Sequence, residues 1–102
     1  MNRKKEAELA TSFFAHSLNI LTKKAHDYAQ DDDCFSNFKK IAETVEIPVE
    51  KVFLTFMVVK IARIVELIKK GKTETGESLK DSLTDLANYS CLMSVYLEDD
   101  RP

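Results

Sequence analysis

Glycine and proline are scarce in this 102-residue chain, at two each, and there is no tryptophan. So little turn-forming material leaves little for β-turns or disordered linkers and points to long helices. Cysteine is equally thin. Cys34 and Cys91 lie far apart and outside any CxxC spacing, which indicates neither a zinc site nor a disulfide framework. The longest uncharged apolar run, Val52 to Val59, is eight residues with one threonine, far short of the roughly 20 that cross a bilayer. Charge of one sign is lacking too: 15 Lys and Arg against 17 Asp and Glu give a net charge of -2. With no overall basic field, binding to duplex DNA is not expected. The opening Met-Asn-Arg-Lys-Lys has no apolar stretch of the signal-peptide kind behind it, so a cytoplasmic location is expected. What is present, 44% hydrophobic and 31% charged residues, is the composition of a soluble globular protein built from long helices. Residues 1–102 are expected to form a single domain with an acidic tail at about 98–102.

Punctuation falls at Gln30 to Asp33, at Glu46-Ile47-Pro48 and at Gly71 to Gly76, dividing the chain into four segments. From about Glu6 to Ala29, Leu9, Phe13, Phe14, Ile20, Leu21, Ala25 and Tyr28 recur at helical steps of three and four. Phe35, Phe38, Ile41 and Val45 give a shorter stripe, with Asp33 placed to cap its helix. Pro48 suits the first turn of a third helix ending near Gly71. A fourth helix is expected from Glu77 or Ser78 to about Glu98, with acids at its start where the dipole favours them. The fold expected is an all-α bundle of about four helices.

Polar residues inside apolar stripes are the informative exceptions. On the first helix Lys24 falls in angle between Ile20 and Leu21. On the third, Lys60 falls between Leu67 and Phe53, with Arg63 at the stripe edge. On the fourth, Glu77, Asp81, Asp85 and Asn88 follow at steps of four, four and three, which confines them to an arc of about 80°. Asp85 lies between Leu92 and Tyr96, and the solvated face is expected near Lys80, Thr84 and Cys91. A buried lysine or carboxylate is costly unless paired, so these groups should converge. Two readings stay open. One is a structural ion-pair network that fixes helix register. The other is a polar pocket in which Asp81 and Asp85 hold Mg²⁺ while Lys24, Lys60 and Arg63 face phosphate oxygens. Other candidates carry less. His16 and His26 lack a partner at zinc-ligand spacing. Asp31-Asp32-Asp33 lacks the glycine and terminal glutamate of a calcium loop and reads as loop and cap. Lys69-Lys70-Gly71-Lys72 suits a helix C-terminus. There is no glycine-rich phosphate loop, and no histidine is positioned to activate a serine.

Four pieces taken in order carry a resemblance: Lys24-Ala-His-Asp27-Tyr28, Asp33-Cys-Phe35-Ser-Asn37-Phe38, Lys60-Ile-Ala-Arg63, and Glu77-Ser-Leu-Lys-Asp81-Ser-Leu-Thr-Asp85-Leu-Ala-Asn88-Tyr89. As a set they resemble the nucleotide modification-associated domain type one family, within the wider MazG-like group of all-α pyrophosphohydrolases. The resemblance implies a helical bundle completed as a homodimer or homotetramer, a nucleoside triphosphate partner, and a place in phage or bacterial nucleotide metabolism involving modified bases. Catalytic members of the wider group look like an ExxE pair on one helix and an ExxD pair on the next, holding Mg²⁺ around the triphosphate. Carried over, this implies Asp81 and Asp85 as catalytic residues and Glu77, Asp81 and Asp85 as metal ligands. Lys24, Asp27, Tyr28, Asn37, Lys60, Arg63 and Asn88 are the implied nucleotide-contacting residues. The chain departs from the pattern where Lys60 and Arg63 stand in place of ExxE, and cations there could neutralise phosphate directly. The resemblance therefore implies either nucleotide binding without hydrolysis, or an Mg²⁺-dependent pyrophosphohydrolase that yields monophosphate and pyrophosphate.

Self-association is expected from the fourth helix on its own pattern, since Leu92, Val95, Tyr96 and Leu97 point in several directions. One small monomer cannot bury them all, and a dimer could.

Overall fold

The computed structural model describes residues 1–28, 33–71 and 77–99, side chains 25–28 excepted. Four helices account for nearly all of them: α1 (Arg3–Tyr28), α2 (Ser36–Val45), α3 (Val49–Lys70) and α4 (Leu79–Asp99). There is no strand among the described residues, so the all-α expectation holds at that level.

The helix ends follow from local chemistry. α1 starts a turn earlier than its apolar pattern suggests, because Asn2 Oδ1 accepts the Lys5 N–H at 2.9 Å. Asp33 does not cap α2 as expected. The capping position is Phe35, and no side chain bonds there. Asp33 acts one step upstream, where Oδ1 accepts the Phe35 N–H at 2.9 Å and its carbonyl accepts the Ser36 N–H at 3.0 Å, a turn that leads into the helix. Its carboxylate also meets Lys39 Nζ at 2.6 Å. That ion pair first, and then the Phe35 N–H, hold the Asp33 carboxyl below its ordinary pKa. Pro48 stands just ahead of the first turn of α3 rather than inside it, in extended backbone with φ -62° and ψ 151°. Gly71 ends α3 with φ 82°, a conformation open to glycine, and donates its N–H to Leu67 O at 2.8 Å.

Aromatic residues build the core where α2, α3 and α4 meet. Phe35, Phe38, Ala42, Val52 and Phe53 are buried together, with Leu92, Met93 and Tyr96 packed on them. Phe38 and Phe53 lie 4.6 Å apart between ring centres, and Tyr96 meets Phe35 edge-on at 5.4 Å. The α3–α4 pairing is the most extensive; α1 lies along α4 and touches α2. Because α1 covers that side of α4, Thr84 is buried beside Phe13 and His16, against the expectation of a solvated face. Lys80 and Cys91 on the same expected face are exposed.

The surplus apolar surface sits elsewhere than expected. On α4, Leu92 and Tyr96 pack on the core, and only Val95 and Leu97 of the named four are exposed. A larger share lies on α3, whose outer face carries Leu54, Val58, Ile61, Val65 and Ile68 exposed. The chain is elongated, with a radius of gyration of 15.5 Å and extents of 44 × 32 × 22 Å. A compact domain of this length has about 13 Å. Among the described residues no helix is long and apolar enough to cross a membrane.

Candidate functional site

Phe53, Lys60 and Leu67 are spaced by seven, so all three look to the same side of α3, and all three are buried. Lys60 is thereby driven against α4, where Asp85 and, two residues ahead of the helix, Glu77 receive it. Its Nζ lies 2.8 Å from Asp85 Oδ2 and 3.0 Å from Glu77 Oε1. The remaining oxygens reach outward: Arg63 Nη1 donates to Glu77 Oε2 at 3.1 Å, and Lys24 Nζ donates to Asp85 Oδ1 at 3.4 Å. The order Arg63, Glu77, Lys60, Asp85, Lys24 is an unbroken alternation of charge across α3, α4 and α1. Its middle is buried and its ends are open: the side chains of Lys60, Glu77 and Asp85 are 11%, 14% and 17% exposed, those of Arg63 and Lys24 40% and 44%. Burial is the largest single influence on Lys60 and acts to lower its pKa. The hydrogen bonds to Asp85 and Glu77 together outweigh it, so the Lys60 pKa stands above the usual lysine value and the group is charged.

The ends open onto a cleft of about 540 Å³ lined by His16, Ile20, Lys24, Arg63, Glu77, Asp81, Thr84 and Asp85. That is the size of ordinary small-molecule sites. His16, Ile20 and Lys24 come from one face of α1 at steps of four. His16 had no zinc partner in sequence, and this shared spacing with Lys24 is the signal that would have placed it in the wall.

Five residues singled out in the sequence therefore meet: Lys24, Lys60, Arg63, Glu77 and Asp85. Asp81 shares the cleft but has another task. Its Oδ2 accepts the Ser78 N–H at 3.1 Å and its own N–H goes to Ser78 Oγ at 3.0 Å, a reciprocal cap at the start of α4. The backbone bond from Ser78 is the main reason its pKa lies below the ordinary aspartate value. Asn88 is drawn to α1, where Nδ2 donates to Ser17 O at 3.0 Å. Asn37 lies on α2 in the wall of a separate apolar groove of about 520 Å³. In that groove Phe56 and Tyr89 stack with centres 5.3 Å apart. The side chains of Asp27 and Tyr28 lie outside the described residues, as do the side chain of His26, residues 31–32 of the aspartate run, and the end of the acidic tail.

As arranged, these donors do not fit Mg²⁺. The position between Glu77 and Asp85 that a cation would take is filled by the Lys60 ammonium, and Asp81 is engaged in the cap. Among the described residues no three His, Cys, Asp or Glu groups stand together in a way that could hold a metal ion.

A family model described as nucleotide modification associated domain 1 matches residues 24–97. No curated protein and no solved structure matches the chain. The matched stretch opens at Lys24 and takes in all five members of the ion chain, omitting only the part of α1 that precedes it and the last residues of the tail. A match over most of the length, spanning every charged residue that the bundle brings together, means that the chain belongs to the nucleotide modification associated domain 1 family.

Proposed function

We propose that this chain binds a nucleotide in the cleft between α1, α3 and α4, as a MazG-like protein of phage or bacterial nucleotide metabolism that does not require hydrolysis. One observation carries the reading: the buried centre of the ion chain is fixed, while its two half-exposed ends over the cleft, Lys24 and Arg63, are both cations. Phosphate oxygens are the natural partners of such groups, and a guanidinium offers them paired donors. The nucleotide association of the family is in keeping with this. Tyr89, one turn beyond Asp85, and Phe56, one turn before Lys60, wall the apolar groove next along the same helix pair and offer a flat surface to a base.

Calorimetric titration with ribo- and deoxynucleoside triphosphates, with and without Mg²⁺, tests the reading. Binding that does not depend on Mg²⁺ is expected. Arg63→Gln or Lys24→Gln should weaken it by about 10- to 100-fold, the worth of a charge-assisted hydrogen bond, with helix content unchanged. Absence of heat with every nucleotide refutes it. A second reading, the Mg²⁺-dependent pyrophosphohydrolase, has in its favour that Glu77, Asp81 and Asp85 line one cleft. Pyrophosphate released in the presence of Mg²⁺, followed by phosphorus NMR and lost in a folded Asp85→Asn variant, would establish it instead.

A further inference from the structure

Of the side chains that α1 carries from Arg3 to Lys24, only Ser17 is buried. The stripe expected to pack against the bundle is put to another use. Leu9, Phe13, His16, Ile20 and Lys24, at steps of four, three, four and four, share one face of α1 over about 22 Å. They overhang α4 without closing on it, and the space beneath is one trough in two compartments. Lys24 stands over the charged cleft and Phe13 over a second pocket of about 630 Å³, while His16, Asp81 and Thr84 line both. The floor of the second pocket is apolar, from Leu9 and Phe13, and its rim carries the hydroxyls of Ser12 and Ser78. That is the chemistry of a nucleoside site, a flat ring under the base and polar groups for its edges and sugar.

The cations of the cleft are thus flanked on both sides by aromatic pockets. Lys24 lies about 16 Å beyond Phe13 along α1, and Arg63 about 10 Å beyond Phe56 along α3. A nucleoside triphosphate has one base and would leave one of the two apolar pockets to water. We propose that the ligand is a dinucleoside polyphosphate, a phosphate chain esterified by a nucleoside at each end. The phosphates lie on Lys24 and Arg63, one base in the groove at Phe56 and Tyr89, and the other on Phe13. This rests on the nucleotide reading of the cleft and narrows it to a class of ligand. Every α1 residue that walls the second pocket precedes Lys24, so this end of the ligand is held by a part of the chain outside the matched residues 24–97. One chain supplies both ends of the site, with no residue needed from another copy.

Titration calorimetry on the full chain tests it with two ligands of equal charge. One is a dinucleoside tetraphosphate; the other is the same nucleoside tetraphosphate with a methyl ester at its far end in place of the second nucleoside. The base is that of the nucleoside triphosphate that binds best. Stacking of a base on an aromatic ring tolerates base identity and is worth about 10- to 100-fold in affinity, so the two-base ligand should bind tighter by that factor, at one ligand per chain. Phe13→Ala should erase the gain and leave the one-base ligand unaffected. Ser12→Tyr, at an exposed position on the rim, fills the pocket without deleting any packing and should have the same effect. Leu18→Ala, on the exposed side of α1, should change neither ligand. Circular dichroism checks that all three variants keep their helix content. Equal affinity for the two ligands overturns the inference and leaves the nucleotide reading standing, whereas binding of neither overturns both. Loss of the one-base ligand in Phe13→Ala also overturns the inference, because the pocket would then hold the only base. So does a ratio of one ligand to two chains, since its ends would then lie on different copies.

Discussion

Replacing Lys60 with methionine keeps the side chain's length and removes its ammonium, which separates packing from charge. In the folded protein that ammonium sits 2.8 Å from Asp85 and 3.0 Å from Glu77, and only 11% of the side chain is exposed. Breaking a buried ion pair by deleting one partner typically costs about 3–5 kcal/mol, because the remaining charge is left without compensation. Here each carboxylate keeps a second cation, Arg63 for Glu77 and Lys24 for Asp85, but both of these are solvent-screened at 40% and 44% exposure. The expected loss is therefore about 2–3 kcal/mol, a fall in Tm of about 10–20 °C for a domain of this size. Thermal and urea melts followed by circular dichroism measure it. Lys60→Met combined with Glu77→Gln and Asp85→Asn removes the stranded charges and should recover most of the loss. The pH dependence supplies an independent check. Since the folded Lys60 pKa lies above the ordinary 10.5, its stabilisation is fully present below that value and is lost as pH rises through the folded pKa. The Lys60→Met protein should lack that alkaline decline. A Lys60→Met variant within about 0.5 kcal/mol of the unaltered protein would refute the reasoning, since the pairs would then contribute only what exposed surface pairs do.

Ser82 Oγ is fully buried and meets no hydrogen-bond partner among the described residues. Ser82→Ala should therefore stabilise the protein by about 1 kcal/mol in urea unfolding. Asp81→Ala removes half of the reciprocal cap of α4 and should cost about 0.5–1 kcal/mol at neutral pH, the low end of cap values because the side chain is exposed. Because the folded Asp81 pKa is depressed, the cap's contribution is present above 3.8 and lost as pH falls through the folded value, so melts of the two proteins should converge in acid. Asn88→Ala frees the Ser17 carbonyl and should raise amide hydrogen exchange along α1 more than along α3, since the lost bond ties α1 to α4.

Helix existence and most helix ends were legible because they depend on near neighbours: Pro48 and Gly71 bound α3 by backbone geometry alone. The convergence of Lys24, Lys60, Arg63, Glu77 and Asp85 was legible for a related reason. A charged side chain in the angle of an apolar stripe must find a partner wherever that stripe goes. Angle could not show competing local bonds. Asp81 shares the arc of Asp85, yet it lies three residues past Ser78 at a helix start, where the unpaired N–H groups claim it. Angle also fails where a helix is covered on two sides. Thr84 lies 100° round the helix from Asp85, on the side expected to face solvent, and is buried all the same, because α1 packs there. The same limit hid the outer stripe of α3. From Val52 to Val59 nearly every residue is apolar, so inward Phe53 and outward Leu54 look alike until the partners are in place.

The position of Lys60 can be turned into a measurement on metal binding. Two carboxylates within about 3 Å of one ammonium form a position already shaped for a cation, and the lysine occupies it with a single charge. Lys60→Ala would leave Glu77 and Asp85 facing an open space with excess negative charge, which a hard divalent ion accepting oxygen ligands can relieve. Binding to the folded state alone stabilises by RT ln(1 + [L]/Kd), so 10 mM Mg²⁺ acting on a site of about 1 mM dissociation constant would return about 1.4 kcal/mol. In the unaltered protein the lysine holds the position and Mg²⁺ should leave the melting temperature unchanged. A shift confined to Lys60→Ala would mean that the lysine is what keeps a divalent ion from this position. An equal shift in both proteins would mean that Mg²⁺ binds away from Glu77 and Asp85, and the lysine would then not be the stand-in for a metal. No shift in either would mean that the two carboxylates separate once the ammonium is gone, so that Lys60 creates the geometry it fills.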